Sequence, residues 1–129
     1  MLKLPDFALF FSVSLALVGV YLLIYTLATS HNEFGLIRQN NIAAALSLGL
    51  SLTGFALPLS SAVVHSTTIA DLLVWGVVAI VVQLVVYLLV RIVLPKLSAR
   101  IAAGELAAAL FLGAASLAAG VINAAAMSF

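Results

Sequence analysis

The sequence predicts an all-α integral membrane protein with four transmembrane helices, built as two tandem two-helix repeats of the same orientation. Three observations carry that expectation. Of 129 residues, 66% are hydrophobic and 7% charged, with a mean hydropathy of +1.36, whereas soluble domains are about half apolar and about a quarter charged. Phe7 to Thr29, Ile42 to Val64, Leu72 to Val90 and Leu106 to Phe129 contain no Asp, Glu, Lys or Arg, and each is long enough to cross about 30 Å of hydrocarbon as a helix. Finally, Asn41 to Ser51 reads NIAAALSLGLS and, sixty-four positions later, Glu105 to Ser116 reads ELAAALFLGAAS. The shared residues, among them Ala45/Ala109, Leu46/Leu110 and Gly49/Gly113, point to a duplicated helical unit. A β-barrel would alternate polarity over segments of about ten residues, and these apolar runs are too long and continuous for that. The whole chain, 1–129, reads as one membrane domain, with repeat 1 about 1–64 and repeat 2 about 65–129.

The first span follows Lys3 and ends at Ala28-Thr29-Ser30, small residues at the spacing of a leader-cleavage site. Its apolar core exceeds the roughly 7 to 15 residues of a signal peptide, so it is expected to be a retained helix. Tyr21, Tyr25, Trp75 and Tyr87 near span ends are expected as interfacial anchors. The segment Ser30-His31-Asn32-Glu33 is the most polar in the chain and has two readings. His31 and Glu33 could form a proton-handling or metal-binding couple, although two ligands without a third make no metal site. Alternatively, Ser30-x-x-Glu33 is a capping box that opens a short amphipathic turn of Phe34, Leu36 and Ile37 on the membrane surface.

The second span starts at Asn40-Asn41 and the fourth at Glu105, side chains that cap helix N-termini or, around an oligomer axis, form a cation-selective mouth. Pro58 lies inside the second span, where its ring disturbs the Gly54 carbonyl. Gly54, Pro58, Ser60 and Ser61 are therefore expected to mark a kink or break lining a polar cavity, or a kinked helix whose serines re-bond its backbone. Asn123 falls at nearly the same depth in the fourth span, within reach of a solute or of a hydrogen bond across the helix seam worth about 1 kcal/mol. Gln83, mid-span in the third helix, must face protein or water.

Small residues dominate the second and fourth spans, which are expected to form the interior seam, with Ala45-x-x-x-Gly49-x-x-x-Thr53 and Ala109-x-x-x-Gly113 as close-packing patterns. The Val, Ile and Leu of the third suit lipid contact. Arg38 follows the first span and Arg91, Lys96 and Arg100 follow the third, while no Lys or Arg lies between the second and third. The positive-inside rule then places both termini outside and the segments 31–41 and 91–105 in the cytoplasm. A net charge of +1 gives no support to nucleic-acid binding, and the absence of cysteine excludes disulfides and thiolate sites. Neither nucleophile, phosphate-loop nor metalloprotease motifs occur, so no enzyme activity and no cofactor or metal are expected.

His31-Asn32-Glu33, Asn40-Asn41-x-Ala43-Ala44, Pro58-Leu59-Ser60-Ser61-Ala62, Asp71, Gln83 and Asn123-Ala124-Ala125 recur in order, and on these strings the chain resembles the bacterial domain-of-unknown-function 350 family. The resemblance implies a multi-pass protein of the bacterial inner membrane with a duplicated two-span unit. It also implies association with envelope-stress proteins and with soluble enzymes resembling glutathionylspermidine synthase. It assigns no activity. The residues favour a small homo-oligomeric module in the lipid bilayer that forms a pathway or binding site for an ion or small polar solute, with Ser60, Ser61, Asn123, Gln83, Asn41 and Glu105 as candidates. The competing expectation is a scaffold or anchor for a soluble cytoplasmic partner.

Overall fold

The computed structural model describes residues 4–29 and 33–127. Its elements are α1 (Leu4–Ala28), α2 (Glu33–Arg38), α3 (Ile42–His65), α4 (Ile69–Val93), α5 (Leu97–Ala102) and α6 (Leu106–Ala126). The four long helices are long and apolar enough to cross a membrane. The short α2 and α5 lie at one end of the bundle, where the chain turns from α1 to α3 and from α4 to α6. The other end holds the turn between α3 and α4.

Helices α3 and α6 run parallel and in register. Polar pairs climb the seam together: Asn41 Nδ2 donates to the Ala102 carbonyl at 3.1 Å, Ser51 Oγ to Ser116 Oγ at 3.3 Å, and Ser61 Oγ to the Ala124 carbonyl at 3.1 Å. Glycine sets the closeness of approach. A Cβ on Gly54 would overlap the Ser116 carbonyl, and one on Gly120 would overlap the Gly54 carbonyl. Small residues are what permit such backbone contact in a bilayer.

The two short-to-long helix junctions have nearly the same backbone. Asn40 adopts φ 64° and Gly104 φ 86°, followed by extended Asn41 (φ −79°, ψ 105°) and Glu105 (φ −74°, ψ 104°). In each, paired bonds close a Schellman turn: Asn41 N to Leu36 O (2.9 Å) with Asn40 N to Ile37 O (2.9 Å), and Glu105 N to Arg100 O (3.0 Å) with Gly104 N to Ile101 O (2.9 Å). Asn and Gly are the residues that accept the left-handed conformation this turn needs.

Helix α1 is peripheral. It turns Leu17, Tyr21 and Tyr25, spaced four apart along one face, toward the core, and a Cβ on Gly76 of α4 would meet the Leu17 side chain. Helix α4 exposes Val74, Val77, Val81, Val85 and Leu89 and buries Gln83 and Tyr87.

Two expectations from the sequence are overturned. Tyr21, Tyr25 and Tyr87 are buried in the core rather than anchored at the interface, because each lies on the inward stripe of its helix. Ala45, Gly49 and Thr53 face outward, with open space where a Cβ on Gly49 would stand. The inward face of α3 is instead Ser47, Ser51, Gly54 and Pro58, whereas Ala109 and Gly113 of α6 do face inward. The two Ala-rich segments therefore present different faces to their neighbours.

Candidate functional site

The interior of an apolar bundle is an expensive place for polar side chains, yet several converge here. Ser51 stands at the centre with 0% exposure, donating to Ser116 Oγ. Its backbone carbonyl accepts from the Tyr21 hydroxyl at 3.5 Å. Gln83 Nε2 donates to the Ser116 carbonyl at 3.0 Å. Thus α1, α3, α4 and α6 each contribute to one chain of hydroxyl, carbonyl and amide groups.

Toward the α2/α5 end the core continues through aromatic rings. Tyr21 stacks on Phe55 at 4.5 Å, the Tyr21 and Tyr25 rings lie 5.9 Å apart, and Tyr25 meets Tyr87 edge-on at 5.8 Å. The Tyr87 hydroxyl is 3.1 Å from Ser98 Oγ at the start of α5. Glu33, the first residue of α2, is 1% exposed at the same end. Among the described residues it is the single charged side chain in the buried set.

The network is incompletely bonded. By hydrogen-bond geometry neither the Tyr25 hydroxyl nor Gln83 Oε1 has a partner among the described residues. Both side chains are only 2% exposed. A buried polar atom left unbonded costs about 1–3 kcal/mol, so the arrangement leaves oxygen atoms that a small guest could satisfy.

Of the residues singled out in the sequence, Gln83 and Glu33 enter this core. His31 and Asn32 lie outside the described residues. Asn41 caps α3, its Oδ1 accepting from Ala44 N at 3.0 Å. Glu105 makes no side-chain cap and pairs with Arg100 Nε at 3.0 Å, so the two helix starts are held differently. Both stand at a small crevice or its edge at the α2/α5 end, about 420 Å³, lined by residues including Asn40, Asn41 and Gly104.

Pro58 does not interrupt α3, which stays helical from Ile42 to His65 with Gly54 and Pro58 buried. The Gly54 carbonyl freed by Pro58 is covered by Gly120 of α6 rather than opened to a cavity. Ser61 bonds across to α6 and lies 3.4 Å from His65 Nδ1. Ser60 is exposed and borders a groove of about 780 Å³ between α1 and α3, lined by Phe7, Phe10 and Phe11. Asn123 is half-buried, its Nδ2 without a hydrogen-bond partner among the described residues. Ser60, Ser61 and Asn123 thus lie toward the end opposite Glu33 and form no part of the central network.

Sequence reasoning missed Ser51, Ser116, Tyr21, Tyr25 and Tyr87 as interior groups. A signal was present for the tyrosines: Tyr21 and Tyr25 are four apart, which puts both hydroxyls on one helical face.

Four membrane-length helices around a polar, partly unbonded interior define a small multi-span membrane module. The chain belongs to the DUF350 family, described as Domain of Unknown Function, whose model matches residues 1–127. It is 42% identical over 127 residues to the UPF0719 inner membrane protein YjfL of Escherichia coli (strain K12), covering 98% of this chain and 96% of the relative. It is 22% identical over 94 residues to the UPF0719 transmembrane protein YshE of Bacillus subtilis (strain 168), covering 73% of this chain and 70% of that one. No solved structure matches the chain. By this kinship and its four candidate spans, it is an inner-membrane protein.

Proposed function

We propose that the protein holds an ion or small polar solute inside each protomer, in the core running from Glu33 through Tyr25 and Ser51 to Gln83. The observation that carries this reading is the coexistence of a buried carboxylate with two buried, unbonded oxygen atoms, Tyr25 Oη and Gln83 Oε1. A half-satisfied network is worse for stability than an apolar core, so unbonded oxygen atoms kept in one core with a buried carboxylate favour a guest that satisfies them.

The site is entered, in this reading, from the α2/α5 end, and that end faces the cytoplasm. Arg38, Arg91, Lys96 and Arg100 all lie there, as the positive-inside rule expects, which puts both termini outside. The chain is a tandem duplication whose halves share the short helix, the Schellman turn and the long helix. Matching dihedrals at Asn41 and Glu105 support it. Protomers associate through the outward face of Ala45, Gly49 and Thr53, since four helices of this length are too few to enclose a pore alone. The activity is binding or conduction rather than catalysis.

The chain has no cysteine, so Ser51→Cys provides a direct test. In oriented vesicles, a small charged thiol reagent is expected to modify that cysteine when added on the α2/α5 side only. A cysteine inert from both sides would mean a dry, purely structural core and would end this reading.

A scaffold remains the second reading because Arg38, Arg91 and Lys96 are exposed at a single end, a cationic surface suited to an acidic soluble partner such as an envelope-stress or glutathionylspermidine-synthase-like protein. Reversing those three charges should release the partner in a pulldown from gently solubilised membranes. Retention would count against the scaffold.

A further inference from the structure

We infer that the groove between the first half of α1 and the second half of α3 binds one phospholipid with a primary ammonium headgroup, its acyl chain against the phenylalanines and its amine beside Asp6. This site is separate from the interior network. It arises from the way α1 packs: the buried residues of that helix, Leu17, Tyr21 and Tyr25, all lie in its second half, so the first half stands off α3 and leaves about 780 Å³ between them. Pockets that hold a small molecule span roughly 300–1,000 Å³.

The walls and the length suit one alkyl chain. Phe7 and Phe11, one helical turn apart, stack at 5.5 Å with 8° between their rings and form a flat aromatic face that is about half exposed. Leu59 and Val63 of α3 make the opposite wall. The groove runs along α1 from Asp6 to Ser14 and along α3 from Ala56 to Ser66, about 12 to 15 Å at 1.5 Å per residue. That is half of the roughly 30 Å of hydrocarbon in a bilayer. The groove therefore opens at headgroup level and closes near the midplane, the depth of one leaflet, where hydrocarbon rather than water is available to fill it.

The mouth selects the headgroup. Asp6 lines it together with Ser66 and Thr67, whose hydroxyls are of the kind that donate to phosphate oxygens. Arg38, Arg91, Lys96 and Arg100 all lie at the opposite end of the bundle, so among the described residues the mouth carries a carboxylate and no Lys or Arg. A carboxylate accepts charge-assisted hydrogen bonds from a primary ammonium. A trimethylated ammonium has no N–H to donate, and an anionic headgroup is repelled.

The test uses the full chain in mild detergent, read by native mass spectrometry, with phosphatidylethanolamine, phosphatidylcholine and phosphatidylglycerol of identical acyl chains as probes. One phosphatidylethanolamine per protomer should survive a delipidation that strips the other two. Ala56→Trp fills the groove from an exposed position on α3 and should abolish that retention; if it fails to reach the membrane, Ser60→Phe on the same wall carries the test. Asp6→Asn should still hold a lipid but lose about two- to fivefold of the preference for phosphatidylethanolamine over phosphatidylcholine, the scale of an exposed charge pair. Asp71→Asn, an exposed carboxylate at the same end but outside the groove, should bind as the parent does. No retained lipid in the parent, equal retention of the three lipids, or undiminished retention in Ala56→Trp or Ser60→Phe would overturn the inference. So would a lipid-free dimer that Ala56→Trp dissociates, the mark of a second copy of the chain in the groove.

Discussion

Helices α2 and α5 are both six residues long, both end in a Schellman turn, and both bury their first residue, yet that residue is Glu33 in one and Leu97 in the other. The common backbone accounts for how each long helix is entered and held, and Leu97 shows that the niche can be filled with no polar atom at all. What separates the two short helices is the chemistry of that one residue rather than the backbone that carries it.

The largest effect should come from exchanging the two residues. Leu97→Glu places a second carboxylate in an apolar niche and should cost about 3–5 kcal/mol, the scale of an uncompensated buried charge, seen as lost membrane abundance or a lowered unfolding temperature. Glu33→Leu gives α2 the first residue that α5 already carries and should cost less. If both exchanges were equally tolerated, the two niches would be equivalent and the contrast empty.

The framework shared by the halves can be attacked at the seam. Gly120→Val drives a side chain into the Gly54 carbonyl, a backbone atom that cannot swing aside, and overpacking of this kind costs about 1–3 kcal/mol. Gly49→Ala, by contrast, meets open space and should gain up to about 1 kcal/mol from helix propensity. Thermal unfolding of the two variants in one detergent checks the pair; a stable Gly120→Val would mean that α3 and α6 are not so close.

Smaller differences separate the two junctions. Asn41→Ala removes a bonded cap and should cost about 1 kcal/mol, whereas Glu105→Ala loses a half-exposed ion pair with Arg100 and should cost less. Smallest of all is Ser60→Ala, which should be silent in stability and in ligand binding because Ser60 lies outside the central network; a loss of binding would move the site toward the groove between α1 and α3.

The spans and the α3/α6 seam were legible because they depend on uninterrupted apolar length and on the distribution of small residues, both local properties of the chain. The site was legible only in part. Gln83 stood out as a lone amide in an apolar helix, but Glu33 read as the end of a capping box or, with His31, as a proton-handling couple, and nothing in a string of residues tells which way a short helix folds back. The tyrosines near span ends fit interfacial anchors equally well, and their burial depends on how α1 is rotated against α3 and α4. Pro58 drew attention to the wrong end of α3: its freed carbonyl is covered by a glycine from α6, a contact made across tertiary space.

The most direct measurement is thiol labelling of Ser51→Cys in oriented vesicles. Modification by a small charged reagent from the α2/α5 side alone is the expected result. A cysteine inert from both sides, or modified equally from both, would contradict an internal site entered from that end.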